Sequence, residues 1–202
     1  METHAIQWIT KETLDLPRQE TFFAAITLAD LAREKVIDRI VLENLQEWQN
    51  QGLVPNMEIE PGDETARLQR ERGWTHWHHL FNARQLLMFS LFKSYALEIP
   101  PPELAPAILA VQSKAIEWNT RLCRWATSSR HENQVNTFSN QALNTLFNYS
   151  ARAMSNLQNH SIIDLSGNVS KFAGEAIVES CPADQVQYMA DIFVTDPPLA
   201  AP

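Results

Sequence analysis

The stretch NARQLLMFSLFKSYAL, residues 82–97, decides the fold that this sequence predicts. Its apolar side chains recur at helical steps and cover nearly every face of the helix, a pattern that indicates a buried helix. Asn82 is of a residue type that caps helix N-termini, and the prolines at 100–102 end the segment. Its 16 residues are fewer than the ~18 apolar residues that indicate a membrane span.

Helical spacing extends to both sides of this stretch. Apolar residues at three- and four-residue steps predict further helices over residues 20–49, 103–127 and 139–158. Gly52 and then Pro55 follow the first of them, as expected just after a helix C-terminus.

The remaining segments show no helical period. Glycines and prolines predict a loop over residues 53–73, and polar residues predict a linker over 128–138. Short apolar runs predict strands over residues 175–179 and 192–195. The predicted fold class is therefore mainly α with a small C-terminal α/β piece.

Composition excludes several classes of protein. An apolar share of 45% in 202 residues is enough for a globular core. The N-terminus lacks the basic and apolar regions of a signal peptide, and two cysteines make no disulfide framework. We expect a cytoplasmic protein that does not enter a membrane.

Charge is distributed unevenly along the chain. Residues 1–66 hold 13 acidic and 5 basic side chains, residues 67–160 hold 5 and 10, and residues 161–202 hold 6 and 1. A basic middle segment between acidic flanks suggests a polyanionic partner such as DNA, although chance clustering on a solvated surface gives the same pattern. The overall net charge of -8 argues against indiscriminate nucleic-acid binding by the whole chain.

Residues 73–81, GWTHWHHLF, combine three histidines with two tryptophans. No helix places all three histidines on one face and no cysteine is near, so we predict no metal site. One interpretation is a tryptophan-rich packing corner that leads into the helix at 82–97. The other is a nucleic-acid surface of arginines and aromatic rings. The candidate DNA-binding residues are Arg67, Arg70, Arg72, Trp74, Trp77 and Arg84.

The acidic turn Asp196-Pro197-Pro198 follows the last predicted strand. An enzyme that methylates a base amino group extrudes the base from the duplex, and a carboxylate at a strand end can accept a hydrogen bond from that amine. Leu199 stands where an aromatic ring would stack on the base, an interaction worth ~1–3 kcal/mol. The same three residues are also common in ordinary turns, so both interpretations stay open.

Three blocks, in this order, resemble one protein family. They are residues 72–87, RGWTHWHHLFNARQLL; residues 140–149, NQALNTLFNY; and residues 193–198, FVTDPP. The family is the large adenine-specific DNA methylases, some of which carry a zinc ribbon and which are often encoded in anti-phage defence islands.

The resemblance implies transfer of a methyl group from S-adenosylmethionine to the exocyclic amine of adenine in DNA. It carries Asp196, Pro197 and Pro198 over as catalytic positions, whereas Leu199 departs from the family's tyrosine. It also implies that residues 161–202 are a truncated piece of a Rossmann-like sheet ending in this motif, after a helical region over residues 1–160.

The sequence has no glycine-rich loop that would hold the methyl donor. We therefore expect a fragment that binds no cofactor and is inactive by itself, its partners being DNA and a separate chain with the donor-binding half. The alternative is a non-catalytic helical DNA-binding or adaptor module.

Overall fold

Four α-helices and two antiparallel strand pairs form the part of the chain that the computed structural model describes, namely residues 5–16, 19–123, 125–128, 131–134, 137, 177, 180–182, 185–189, 192 and 194. The elements are β1 (Ala5–Ile9), β2 (Thr21–Ala25), α1 (Leu28–Asn50), α2 (Asp63–Arg72), α3 (Ala83–Glu98), α4 (Leu104–Glu117), β3 (Trp125–Ser128) and β4 (His131–Gln134). The chain divides into two compact units, Met1–Ile163 and Asp164–Pro202, and all of these elements belong to the first. The prediction of a mainly helical fold is confirmed for the described residues.

The first predicted helix, residues 20–49, is wrong at its N-terminal end. Residues 21–25 form β2, which pairs with β1 so that Phe22 lies opposite Trp8. Cross-strand aromatic pairs stabilise such ribbons, and this non-local contact is invisible to a helical period. The helix α1 begins only after Thr27, which forms a capping box with Asp30. Its C-terminus agrees with the prediction, because Gly52 follows with a positive φ of 70°.

The predicted loop over residues 53–73 is wrong in its second half, where α2 forms. Residues 64–72, ETARLQRER, contain no glycine or proline and several good helix formers. The helix α2 ends at Gly73, whose φ of 66° is the left-handed conformation that glycine adopts most readily. The amide of Gly73 donates to the carbonyl of Gln69 at 2.9 Å, which completes the C-cap.

The helix α3 confirms the prediction for residues 82–97, including Asn82 as its N-cap. The Asn82 side chain accepts from the Gln85 amide at 2.8 Å, and the Gln85 side chain accepts from the Asn82 amide at 2.9 Å. The prediction that α3 is buried on nearly every face is wrong, because Tyr95 and Leu97 are exposed. The helix packs against α1 and α4 on its buried side.

The helix predicted over residues 103–127 stops ten residues early, at the end of α4. The buried hydroxyl of Thr120 contacts the hydroxyl of Thr137 at 3.0 Å, and the Thr137 amide donates to the carbonyl of Glu117. These polar contacts hold the chain in a turn after α4. The strand β3 then pairs with β4, which lies inside the predicted linker over residues 128–138.

Two hydrophobic clusters form the core. The first contains Ile59, Trp74, Leu80 and Leu122, and the second contains Val41, Val54 and Leu86. Phe81 packs against both clusters, so the segment between α2 and α3 joins the two halves of this core.

Some predictions fall on residues that the structure does not describe. These are the helix over residues 139–158 and most of the strands over 175–179 and 192–195. Ile177, Ile192 and Val194 are described; they lie in no strand and are exposed. Within the described residues, no helix combines the length and apolarity that a membrane crossing requires.

Candidate functional site

The segment between α2 and α3 is fixed by backbone pairing with residues 57–59. Glu58 and His76 form an isolated antiparallel bridge. The Ile59 amide donates to the carbonyl of Thr75 at 2.8 Å, and the Trp77 amide donates to the carbonyl of Met57 at 3.1 Å. This pairing places Trp74 in the first core cluster, where it is only 5% exposed.

A short 3₁₀ turn, Trp77–Leu80, follows this pairing, with His76 as its N-cap and the side chain of His79 as the acceptor of the capping box. The Nδ1 atom of His79 accepts from the backbone amide of Thr75 at 3.1 Å and from that of His76 at 3.4 Å. Because Nδ1 is the acceptor, the neutral His79 ring carries its proton on Nε2. The cap therefore fixes both the tautomer and the position of this imidazole.

The three histidine rings lie close together, with centroids 5.4 Å apart for His76 and His78, 5.5 Å for His76 and His79, and 4.3 Å for His78 and His79. Burial lowers the pKa of His78 below its ordinary value, and its neighbours His79 and His76 lower it further. Burial likewise lowers the pKa of His79, with smaller contributions from His76 and Arg121. The neutral forms are thus favoured.

The histidine rings are not arranged to hold a metal ion. A metal on Nε2 of His79 would require the proton on Nδ1, where two backbone amides already donate. In the described part of the chain, no group of three or more His, Cys, Asp or Glu residues is placed to bind a metal.

Arg121 lies across this segment, from the turn that follows α4. Its Cζ atom is 4.7 Å from the centroid of the Trp74 ring, within cation–π range. Its backbone amide donates to the carbonyl of Leu80 at 2.8 Å, and its side chain donates to the carbonyl of His79 at 3.3 Å. Among the described residues no carboxylate forms an ion pair with it.

Two further arginines, Arg70 and Arg72, lie in the last turn of α2, just before Gly73 and Trp74. Burial lowers the pKa of the Arg121 guanidinium, and the charge of Arg72 lowers it further. Arg70 projects from the last turn of α2 and is exposed. We call Arg70, Arg72 and Arg121, together with the three histidines, the cationic corner.

An open pocket of about 330 Å³ borders the cationic corner at His78, His79 and Arg121. It is lined by Leu45, Gly73, Trp74, His78, His79, Phe81, Leu86 and Arg121. The lining thus joins one guanidinium and two imidazoles to an apolar wall, and it includes no carboxylate. Such a pocket favours an anion over a cation.

The structure distributes the predicted DNA-binding residues over different environments. Arg67 and Arg70 are exposed on α2, where Arg67 pairs with Glu71 at 3.3 Å. Trp74 is buried and Trp77 is half-buried, so the structure shows the packing corner that was one interpretation of these rings. Arg84 forms an ion pair with Glu34 of α1.

The predicted catalytic positions Asp196, Pro197 and Pro198 lie outside the described residues. Sequence reasoning did not select Arg121, which lies within the helix predicted over residues 103–127, as a site residue. The feature that identifies Arg121 is its contact with Trp74, and these two residues are far apart in the sequence. A periodic pattern carries no information on such a contact.

No protein-family model, curated protein or solved structure matches this chain.

Proposed function

We propose that this chain is part of an S-adenosylmethionine-dependent DNA adenine methyltransferase, in which the first unit holds DNA through the cationic corner. The observation that carries the proposal is the location of this corner. Arg72 and the three histidines belong to residues 72–87, the longest of the three blocks that resemble the family, and Arg70 and Arg121 complete the corner.

Charge at the corner supports contact with a phosphate backbone. Arg70 and Arg72 lie in the last turn of α2, and among the described residues neither forms an ion pair. Arginine side chains of this kind bind phosphate oxygens and contribute affinity without reading sequence.

The pocket in the corner does not fit the methyl donor. S-adenosylmethionine carries a cationic sulfonium group, whereas the pocket lining holds Arg121 and no carboxylate. Because the sequence also has no glycine-rich loop for the donor, the proposal assigns donor binding to a separate chain and DNA contact to this one. The methyl-transfer part of the proposal is supported by the order of the sequence blocks, with Asp196 as the base-orienting carboxylate.

The experiment compares duplex DNA binding by the full chain and two double variants, using fluorescence anisotropy. R70A/R72A should weaken binding at least about tenfold, as expected when two arginines no longer bind phosphates. The matched control is K35A/R39A, which removes two exposed cations of α1 and should leave the affinity within about twofold, because charges away from the DNA act only through the screened long-range field. An equal weakening in both variants would contradict a localised DNA surface.

A second arm separates the enzyme from its alternative, a DNA-binding or adaptor module without catalysis. A duplex with 2-aminopurine in place of one adenine becomes more fluorescent when that base leaves the stack. The methyltransferase proposal predicts a fluorescence increase on binding that D196A reduces while the affinity is kept. Binding without any increase favours the adaptor module.

A further inference from the structure

We propose that the pocket in the cationic corner binds the phosphate group of a nucleotide, with Arg121 as its main contact and the apolar wall against the organic part. The inference deepens the proposed function and rests on it, because it names the chemical group that the corner takes. The same chemistry is offered by a phosphodiester of DNA and by a free nucleotide, and the experiment below distinguishes these sources.

The described residues use few of the hydrogen-bond donors of Arg121. A guanidinium has five N–H donors. Among the described residues, the side chain makes one hydrogen bond, to the carbonyl of His79 at 3.3 Å. The guanidinium is half-buried, lies near Arg72 and has no described carboxylate partner. An anion in the pocket would offset both the desolvation and the repulsion between the two cations.

Arg121 is held in place before any ligand arrives. Its guanidinium lies over the ring of Trp74, which is itself packed among Ile59, Leu80 and Leu122. Its backbone amide donates a hydrogen bond to the carbonyl of Leu80 in the 3₁₀ turn. A side chain that is already positioned loses less conformational entropy on binding, so more of the interaction appears as affinity.

The donor set favours a phosphate monoester over a carboxylate. The lining includes Arg121, with N–H groups beyond its bond to His79, and His79, whose neutral ring carries its proton on Nε2 because backbone amides donate to Nδ1. A phosphate monoester presents three terminal oxygens and a charge near -2, and the guanidinium fork binds two such oxygens side by side. A carboxylate presents only two oxygens and a single charge.

The rest of the pocket suits the organic part of a nucleotide. Leu45, Phe81 and Leu86 form an apolar wall next to the cation. The volume of about 330 Å³ lies at the lower end of the range for small-molecule sites, so it has room for one small ligand or one unit of a polymer. The ring of Trp74 is not itself a stacking platform, because it is buried and Arg121 lies over it.

The test is calorimetric titration of the full chain, at low salt, with AMP, adenosine and a short single-stranded oligonucleotide. AMP should bind at least about tenfold more tightly than adenosine, since charge-assisted hydrogen bonds supply a factor of this order. R121Q should weaken AMP binding about ten- to a hundredfold, and R121K should fall between, because lysine keeps the charge but loses the fork. R39Q, an exposed arginine of α1, is the control and should change nothing.

Folding is checked for each variant by its urea midpoint, and R121K serves if R121Q does not fold. The inference is overturned if adenosine binds as tightly as AMP. It is also overturned if a folded variant at Arg121 binds AMP as tightly as the wild type does. Competition by the oligonucleotide identifies a phosphodiester as the ligand, and its failure to compete identifies a free nucleotide.

The outcomes for this inference and for the proposed function are distinguishable. If AMP binding depends on Arg121 but R70A/R72A binds duplex DNA like the wild type, the proposed function fails and the nucleotide site stands. If DNA binding depends on Arg70 and Arg72 but AMP does not bind, the proposed function stands and this inference fails.

Discussion

Replacement of Asn82 by alanine removes the N-cap of α3. This cap fixes where α3 begins, and it thereby also fixes the positions of Phe81 and Leu86 in the pocket wall. The deleted acceptor serves the backbone amide of Gln85, a residue that is 0% exposed. Solvent cannot reach that amide to replace the bond. The amide would therefore remain unsatisfied in the interior.

The magnitude follows from this burial. Loss of an N-cap costs ~1 kcal/mol on average, and an unsatisfied buried donor costs ~1–3 kcal/mol. We expect N82A to lower the free energy of unfolding by about 2 kcal/mol, the upper end of the cap range. The matched control is T27A, which removes the equivalent acceptor from the capping box of α1 at an exposed site. It should cost only about 0.5 kcal/mol, because water replaces the bond.

The assay is urea unfolding followed by circular dichroism at 222 nm. In a thermal scan the N82A change corresponds to a shift of about 4–8 °C, at 2–4 °C for each kcal/mol in a chain of this size. N82D keeps an acceptor oxygen at the same position and should restore most of the stability. Equal destabilisation by N82A and T27A, or no recovery in N82D, would refute the assignment of the cost to the buried amide.

Three further predictions concern the same unit. The pKa values of His78 and His79 are lowered in the folded state, so the unfolded chain binds more protons than the folded chain below about pH 6.5. Stability should therefore be full above that pH and should fall as the pH drops toward the folded-state pKa values. The urea midpoint measured against pH checks this, and a flat profile between pH 7.5 and 5 would be inconsistent with it. W74A should cost about 3–5 kcal/mol, because it leaves a cavity in the first core cluster, and a destabilisation below 1 kcal/mol would show that the ring is not packed. R84A should cost less than about 1 kcal/mol, since its ion pair with Glu34 is solvent-accessible, and a larger effect in the same urea assay would contradict this.

The sequence predicted those parts of the fold that depend on local signals. The helix α3 and its cap at Asn82 follow from residue spacing and one capping residue, and the end of α1 follows from Gly52. The strand β2 and the strand pair after α4 were missed because they depend on pairing between segments. The spacing of apolar residues predicts a helix at Phe22, whereas in the structure Phe22 pairs with Trp8 across the two antiparallel strands β1 and β2.

In the candidate site, too, local composition could select some residues, whereas others depend on contacts between distant segments. Arg70 and Arg72 could be selected from the cluster of arginines near two tryptophans. Trp74 could not be assigned to the core or to the surface, because burial depends on Ile59 and Leu122 from other segments. The contact between Arg121 and Trp74, which organises the pocket, was not predictable from local composition.

The salt dependence of duplex DNA binding tests the central claim most directly. The logarithm of the association constant should fall linearly with the logarithm of the salt concentration, and R70A/R72A should reduce the slope by about 1.8, because each phosphate that an arginine neutralises contributes ~0.9. K35A/R39A should leave the slope unchanged. A wild-type slope near zero, or identical slopes in both double variants, would contradict a DNA surface at the cationic corner.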